Sequence, residues 1–135
     1  MTNDRLVYVV DDDDSVRRSA AFMLRHAGFK VEQVESGVAF LKLAKGAERG
    51  CVLLDVRMPE MDGLQVQQQM IKDGIDMPVV ILTGHGDIEI AVQAMRAGAT
   101  NFLEKPYEKE ALIAAMEEAF TRLENSNLKE MAASE

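Results

Sequence analysis

Five short apolar runs alternate with five amphipathic stretches along the chain. The first run, Leu6-Val7-Tyr8-Val9-Val10, is apolar throughout, the pattern of a strand covered on both faces. Asp13, Asp14 and Ser15 then offer helix caps and negative charge at a helix's positive end. Val16, Ala20, Met23, Leu24 and Ala27 recur at helical spacing until Gly28 stops the pattern. Residues 29–35 read as a second strand, whose Lys30, Glu32 and Gln33 suit a sheet edge. Ser36 caps a second helix running to about Gly46, with Val38, Phe40, Leu41 and Ala44 as its apolar positions. A third strand, Cys51-Val52-Leu53-Leu54-Asp55, ends in a carboxylate. Residues 57–63 carry Pro59 and Gly63 and read as an ordered turn. The third helix covers 64–73, anchored by Leu64, Met70 and Ile71. Met77-Pro78 leads into a fourth strand, Val79-Val80-Ile81-Leu82, which ends in Thr83. After the turn Gly84-His85-Gly86, Asp87 is placed to cap a helix through Ala97, with Ile88, Ala91, Val92 and Met95 inward. A fifth strand, Thr100-Asn101-Phe102-Leu103-Glu104, runs into Lys105-Pro106. The last helix starts near Glu108, with Leu112, Ile113, Met116, Ala119, Phe120 and Leu123 at three- and four-residue steps.

Strict strand–helix alternation predicts an α/β fold, a single (βα)5 doubly wound domain with helices on both faces of a parallel sheet. At this size the expected strand order is 2-1-3-4-5, the flavodoxin-like order. That order sets strands one and three side by side, so Asp11, Asp12 and Asp55 meet at the carboxyl edge, where open parallel sheets place their ligands. Beyond Leu123 the pattern weakens. Residues 124–135 are polar, with Leu128 and Met131 as the large apolar exceptions. They could be a frayed helix extension, a linker, or a helix that pairs with another chain. The expected organisation is therefore one domain over 1–123 and a linker or C-terminal tail over 124–135.

Composition narrows the function classes. A net charge of −8 argues against this chain alone gripping a nucleic-acid backbone. No apolar run is long enough to span a bilayer, and the first residues lack the basic-then-apolar order of a secretory leader. The single cysteine, Cys51, lies in an apolar strand and is expected to serve packing. The cytoplasm is the expected compartment, with no membrane partner.

Three carboxylates held close together raise one another's proton affinity unless a cation intervenes. A hard divalent ion removes that conflict, and Mg²⁺ (or Mn²⁺) suits oxygen donors. Asp11 and Asp12 are the expected metal-side acids, Asp55 contributes a further oxygen, and the backbone carbonyl of Arg57 is placed to add another. A carboxylate beside such an ion can attack a phosphoryl group, giving an aspartyl phosphate. Lys105 would then hold one phosphoryl oxygen by its ammonium charge and Thr83 another by its hydroxyl.

The acidic pair after the first strand, Asp55 followed by Met58-Pro59 and Asp62-Gly63, then Thr83, Gly98-Ala99 and Lys105-Pro106, together resemble the receiver domain of two-component response regulators, the CheY-like superfamily. The resemblance covers about residues 4–123. It implies that Asp55 is the phosphoacceptor, that Lys105-Pro106 is a cis peptide, and that Phe102 is the aromatic switch residue partnering Thr83. Tyr8-Val9-Val10-Asp11 and Thr83-Gly84-His85-Gly86-Asp87 are most similar to the FixJ type, and the NtrC type shares the second stretch. His85 occupies a position where family members tune dephosphorylation, although an ordinary surface histidine fits it as well. His26 reads as an exposed helix-terminal residue.

The resemblance implies a phosphorylated signalling switch rather than an enzyme with turnover, one that promotes its own phosphotransfer and autodephosphorylation. A sensor histidine kinase or phosphotransfer protein would donate the phosphoryl group from a phosphohistidine. Phosphorylated Asp55 would draw Thr83 inward, with Phe102 following, and change the surface made by the fourth helix, fifth strand and fifth helix. Gln93, Arg96, Asn101, Glu104, Tyr107, Lys109 and Glu110 give that surface mixed charge suited to a homodimer. FixJ-type regulators usually carry a helix-turn-helix output domain, so transcription and DNA would be reached only through a domain absent here. A stand-alone receiver acting as phosphate sink, phosphorelay intermediate or inhibitor of a kinase or partner is the alternative. Asp11-Asp12-Asp13 also fits the nucleophile motif of haloacid-dehalogenase-type phosphatases. Those need a further acidic pair after the lysine strand, where this chain has Pro106-Tyr107.

Overall fold

The computed structural model describes residues 5–84 and 86–133, with side chains described to Leu128. The expectation for His85 lies outside these residues, as does that for the Met131 side chain.

The chain forms β1 (Leu6–Val10), α1 (Asp14–His26), β2 (Lys30–Val34), α2 (Gly37–Ala44), β3 (Cys51–Asp55), α3 (Gly63–Lys72), β4 (Val79–Thr83), α4 (Ile88–Arg96), β5 (Asn101–Glu104) and α5 (Lys109–Ala133). The strands make one parallel sheet in the order β2-β1-β3-β4-β5. Every residue of β1, β3 and β4 is buried, because helices cover both faces, whereas β2 at the edge is largely exposed.

Alternation along the strands divides the core in two. Tyr8, Val10, Val52, Leu54 and Ile81 point to the face covered by α2, α3 and α4, with Phe40, Val66 and Met70 packed on them. Val7, Val9, Cys51, Leu53, Val80 and Leu82 point to the face covered by α1 and α5, against Leu24, Leu112, Met116 and Phe120. Cys51 is fully buried, and that burial pushes its thiol pKa up to about 12, as for a packing residue.

Three helices start on side-chain caps that the sequence supplies. Asp13 accepts from Val16 N–H, Ser36 from Ala39 N–H, and Asp62 from Gln65 N–H within a reciprocal capping box. The fourth does not. Asp87 stands at the head of α4, but its carboxylate makes no cap bond.

The inward faces of three helices also need correcting. Val38, Ile71, Ile88, Val92 and Met95 were expected to be core positions, yet all are exposed. On α4 the buried positions are Ala91 and Ala94, one turn-step round from the bulky stripe. Small side chains let the helix lie close to the sheet, and the larger residues are left facing outward. Two residues expected on the outer surface, Asn101 and Tyr107, are half-buried instead.

The last helix continues past Leu123 to Ala133 without a break. Arg49 holds its extension: the guanidinium donates to Asn127 Oδ1 at 2.5 Å and to Ser126 Oγ at 3.3 Å, and it also pairs with Asp76 Oδ2 at 2.8 Å.

Candidate functional site

The site is built where β1 and β3 run side by side and stop. The register pairs Val10 with Leu54, so Asp11, just past the end of β1, comes beside Asp55, the last residue of β3. Asp11 is fully buried and Asp55 is 5% exposed, while Asp12 is exposed. One oxygen from each of Asp11, Asp12 and Asp55 lies within 4.8 Å of the others. Asp55 is far in sequence from Asp11 and Asp12, and the β1–β3 pairing brings it to them.

Local bonds fix each part. Asp11 N–H donates to Val34 O at 3.1 Å, and Asp11 Oδ1 accepts from Asp13 N–H at 2.9 Å. Arg17 Nη1 donates to Asp11 O at 2.9 Å. The loop after Asp55 turns back tightly, with Gly63 N–H donating to Val56 O at 2.9 Å. A Cβ on Gly63 would lie 2.7 Å from Asp55 O and 2.8 Å from Val56 Cα, so this close approach requires glycine.

Lys105 follows the end of β5 and is joined to Pro106 by a cis peptide bond. Its Nζ lies 3.3 Å from Asp55 Oδ1 and 3.4 Å from Asp11 Oδ2. Its backbone N–H donates to Thr83 O at 2.8 Å, extending the β4–β5 ladder to the site. Thr83 itself is buried at the end of β4, one residue past the Asp55–Leu82 pair. Its hydroxyl faces Leu103 O at 3.4 Å rather than a carboxylate. Phe102 sits on β5 with 38% of its surface exposed.

The electrostatics follow from this crowding. Burial, reinforced by the charge of Asp11 and opposed by Lys105, pushes the Asp55 carboxyl up to about 6. Burial works against the charge of Lys105, but Asp55 and Asp11 outweigh it and hold its pKa above the usual lysine value. Two buried carboxylates and an exposed third, with one ammonium among them, leave a net negative pocket of hard oxygen donors. Such a set could hold a divalent cation, which would relieve the repulsion that raises Asp55.

One feature of the rim was not legible in the sequence. Arg57 N–H faces Asp55 Oδ1 at 3.5 Å, while the Arg57 guanidinium clasps Asp87 in two bonds, Nε to Oδ2 at 3.1 Å and Nη2 to Oδ1 at 2.9 Å. This pairing holds the Asp87 carboxyl below its usual range and raises Arg57. Thirty residues separate the two side chains, and the only sequence signal was a capping-type residue at 87. Gly86 N–H donates to Glu104 Oε2 at 3.1 Å, tying the same loop to β5.

The response regulator receiver domain family matches residues 7–117. The transcriptional regulatory protein FixJ of Azorhizobium caulinodans is 44% identical over 129 residues, which are 96% of this chain and 61% of that protein. The response regulator protein TodT of Pseudomonas putida is 41% identical over 84% of this chain and 50% of its own length. The chain thus spans between half and two thirds of the curated relatives it matches. Among solved structures, FixJ-N superimposes with a TM-score of 0.83 at 42% identity, covering 87% of this chain and 94% of that one. Full-length FixJ from B. japonicum does so with a TM-score of 0.88 at 41% identity, covering 99% of this chain and 66% of that one.

Proposed function

The chain belongs to the response regulator receiver domain family, and from that premise we propose that Asp55 accepts a phosphoryl group from the phosphohistidine of a sensor histidine kinase or phosphotransfer protein. The observation that carries this reading is the buried Asp55 carboxylate at the end of β3, with Lys105 Nζ 3.3 Å away and Asp11 beside it. In the transfer, an Asp55 oxygen forms a bond to phosphorus as the phosphorus–nitrogen bond of the donor breaks. The imidazole leaves with the bonding pair and takes up a proton.

Asp11, Asp12 and Asp55, with the Arg57 backbone carbonyl, are the residues we assign to Mg²⁺ (or Mn²⁺). When bound, the ion would neutralise phosphoryl oxygens and keep Asp55 ionised at neutral pH. Lys105 holds a second phosphoryl oxygen, and it is already aimed at the nucleophile. Thr83 holds a third once its hydroxyl turns from Leu103 O. Phe102, partly exposed on β5, is the residue we assign to move with Thr83.

The α4–β5–α5 surface is the output we assign to the switch. Ile88, Val92, Met95 and Phe102 expose an apolar stripe there, bordered by Glu89, Arg96, Glu104 and Lys109. A stripe rimmed by both signs of charge suits a homodimer formed on phosphorylation. The relatives called FixJ are named transcriptional regulatory proteins, so the readout we propose is transcriptional, through a domain outside this chain. We assign the chain to the cytoplasm, where its kinase would act; among the described residues no helix is long and apolar enough to cross a membrane.

Incubation with acetyl phosphate and Mg²⁺, followed by intact-mass measurement, tests the reading. The protein is expected to gain one labile phosphoryl group, as acetate leaves, and Asp55→Asn is expected to gain none. Equal gain by both proteins would remove Asp55 from the role.

A further inference from the structure

Arg57 joins two places at once. Its backbone N–H is on Asp55, and its guanidinium is on Asp87. Asp87 occupies the N-cap position of α4, where a carboxylate ordinarily accepts from the second or third helical N–H. Asp13, Ser36 and Asp62 make that bond for α1, α2 and α3, and Asp87 does not. Both Asp87 oxygens instead meet Arg57. Gly84 leaves room for this turn of the carboxylate: a Cβ there would lie 3.3 Å from Asp87 Oδ2. The helix so deprived is also lightly held. Its buried residues are Ala91 and Ala94, and Gln67 Nε2 donates to Ala94 O at 2.9 Å.

We propose that the Arg57–Asp87 ion pair is a latch that withholds Asp87 from capping α4, and that a phosphoryl group on Asp55 opens it by drawing the Arg57 guanidinium away. The release step rests on Asp55 being the phosphoacceptor. The Arg57 side chain is 68% exposed, and such ion pairs are weak. A phosphoryl group brings roughly two negative charges and three acceptor oxygens, which a guanidinium fork binds more strongly than one carboxylate. Freed, Asp87 accepts from Glu89 or Ile90 N–H, and the first turn of α4 resets together with the apolar stripe it carries. Arg57 is then a positioning residue that converts charge at Asp55 into a change at α4.

Amide hydrogen exchange at Glu89 and Ile90 tests this in the full chain. Wild type, Arg57→Ala and Asp87→Ala are compared with and without acetyl phosphate and Mg²⁺, and intact mass is recorded on the same samples. Without phosphodonor, Arg57→Ala is expected to slow exchange at these amides roughly fivefold relative to wild type, the protection one cap bond gives. Wild type is expected to reach similar protection only when phosphorylated, and Asp87→Ala in neither state although its mass still rises. Unchanged exchange in Arg57→Ala would overturn the latch. Unchanged exchange in wild type of verified phosphorylated mass would overturn the release step. No mass gain in wild type would sink the phosphoacceptor reading and the release step with it, while the latch still stands or falls on Arg57→Ala.

Discussion

At the carboxyl edge of the sheet the chain buries charge; along α4 and β5 it exposes hydrocarbon. Asp11 and Asp55 are almost without solvent, with Lys105 as their ammonium partner. Ile88, Val92, Met95 and Phe102 lie in the open. Neither arrangement favours stability, since charges are best left in water and apolar side chains out of it. Phe22, Val38, Ile71 and Leu128 are exposed too, but singly, each on a different helix, whereas α4 alone carries three such residues. The acidic edge concentrates unfavourable charge that an incoming group can relieve, and the α4 group offers area that a partner can cover. They touch through the loops that hold Arg57 and Asp87.

The largest expected effect strikes the charged interior. Lys105→Ala removes the ammonium beside Asp55, and phosphoryl uptake from acetyl phosphate should slow by about 100-fold or more, the usual scale for losing one electrostatic stabiliser of a transition state. Lys105→Arg should recover part of the rate, because it restores charge without the compact point geometry. Time-resolved intact mass reads both.

The next effect is a pH dependence of stability in the metal-free protein. The Asp55 carboxyl is raised from 3.8 to about 6, chiefly by burial. The folded chain therefore keeps this proton over a range in which the unfolded chain has released it. The contribution is fully present below about pH 4 and is lost as pH rises through about 6. The gap corresponds to up to ~3 kcal/mol. Urea midpoints in the presence of a chelator should fall more across that window for wild type than for Asp55→Asn, whose side chain stays neutral. Adding Mg²⁺ at neutral pH should restore wild-type stability. Parallel pH curves for the two proteins would mean that Asp55 carries no such strain.

The smallest effect on stability belongs to the apolar exterior. Ile88→Ser should change the unfolding free energy by no more than ~0.5 kcal/mol, as for an exposed site. It should nonetheless weaken any self-association seen by sedimentation after phosphorylation. A large loss of stability would instead make Ile88 a packing residue.

The contrast between the two regions also explains what the sequence disclosed. Unbroken apolar runs at 6–10, 51–54 and 79–82 identified the central strands, because only doubly covered strands read that way. Topology then placed Asp11 against Asp55, and the structure sets them side by side. Of the four α4 positions expected inward, Ala91 is buried, while Ile88, Val92 and Met95 are exposed and Ala94 is buried in their place. Apolar residues fill most of this helix, so periodicity alone does not pick its inner face. Close approach to the sheet favours the small residues. The Arg57–Asp87 clasp and the hold of Arg49 on Ser126 and Asn127 are pairings of side chains distant in sequence, for which the chain carries no local pattern.

The central claim is that one carboxylate, Asp55, takes the phosphoryl group. Treatment of the phosphorylated protein with borohydride reduces an acyl phosphate to the alcohol, and peptide mass mapping then locates the altered residue. Homoserine is expected at position 55 alone, dependent on Mg²⁺ and on prior phosphodonor. Reduction at Asp11, Asp12 or Asp13, with residue 55 intact, would contradict it.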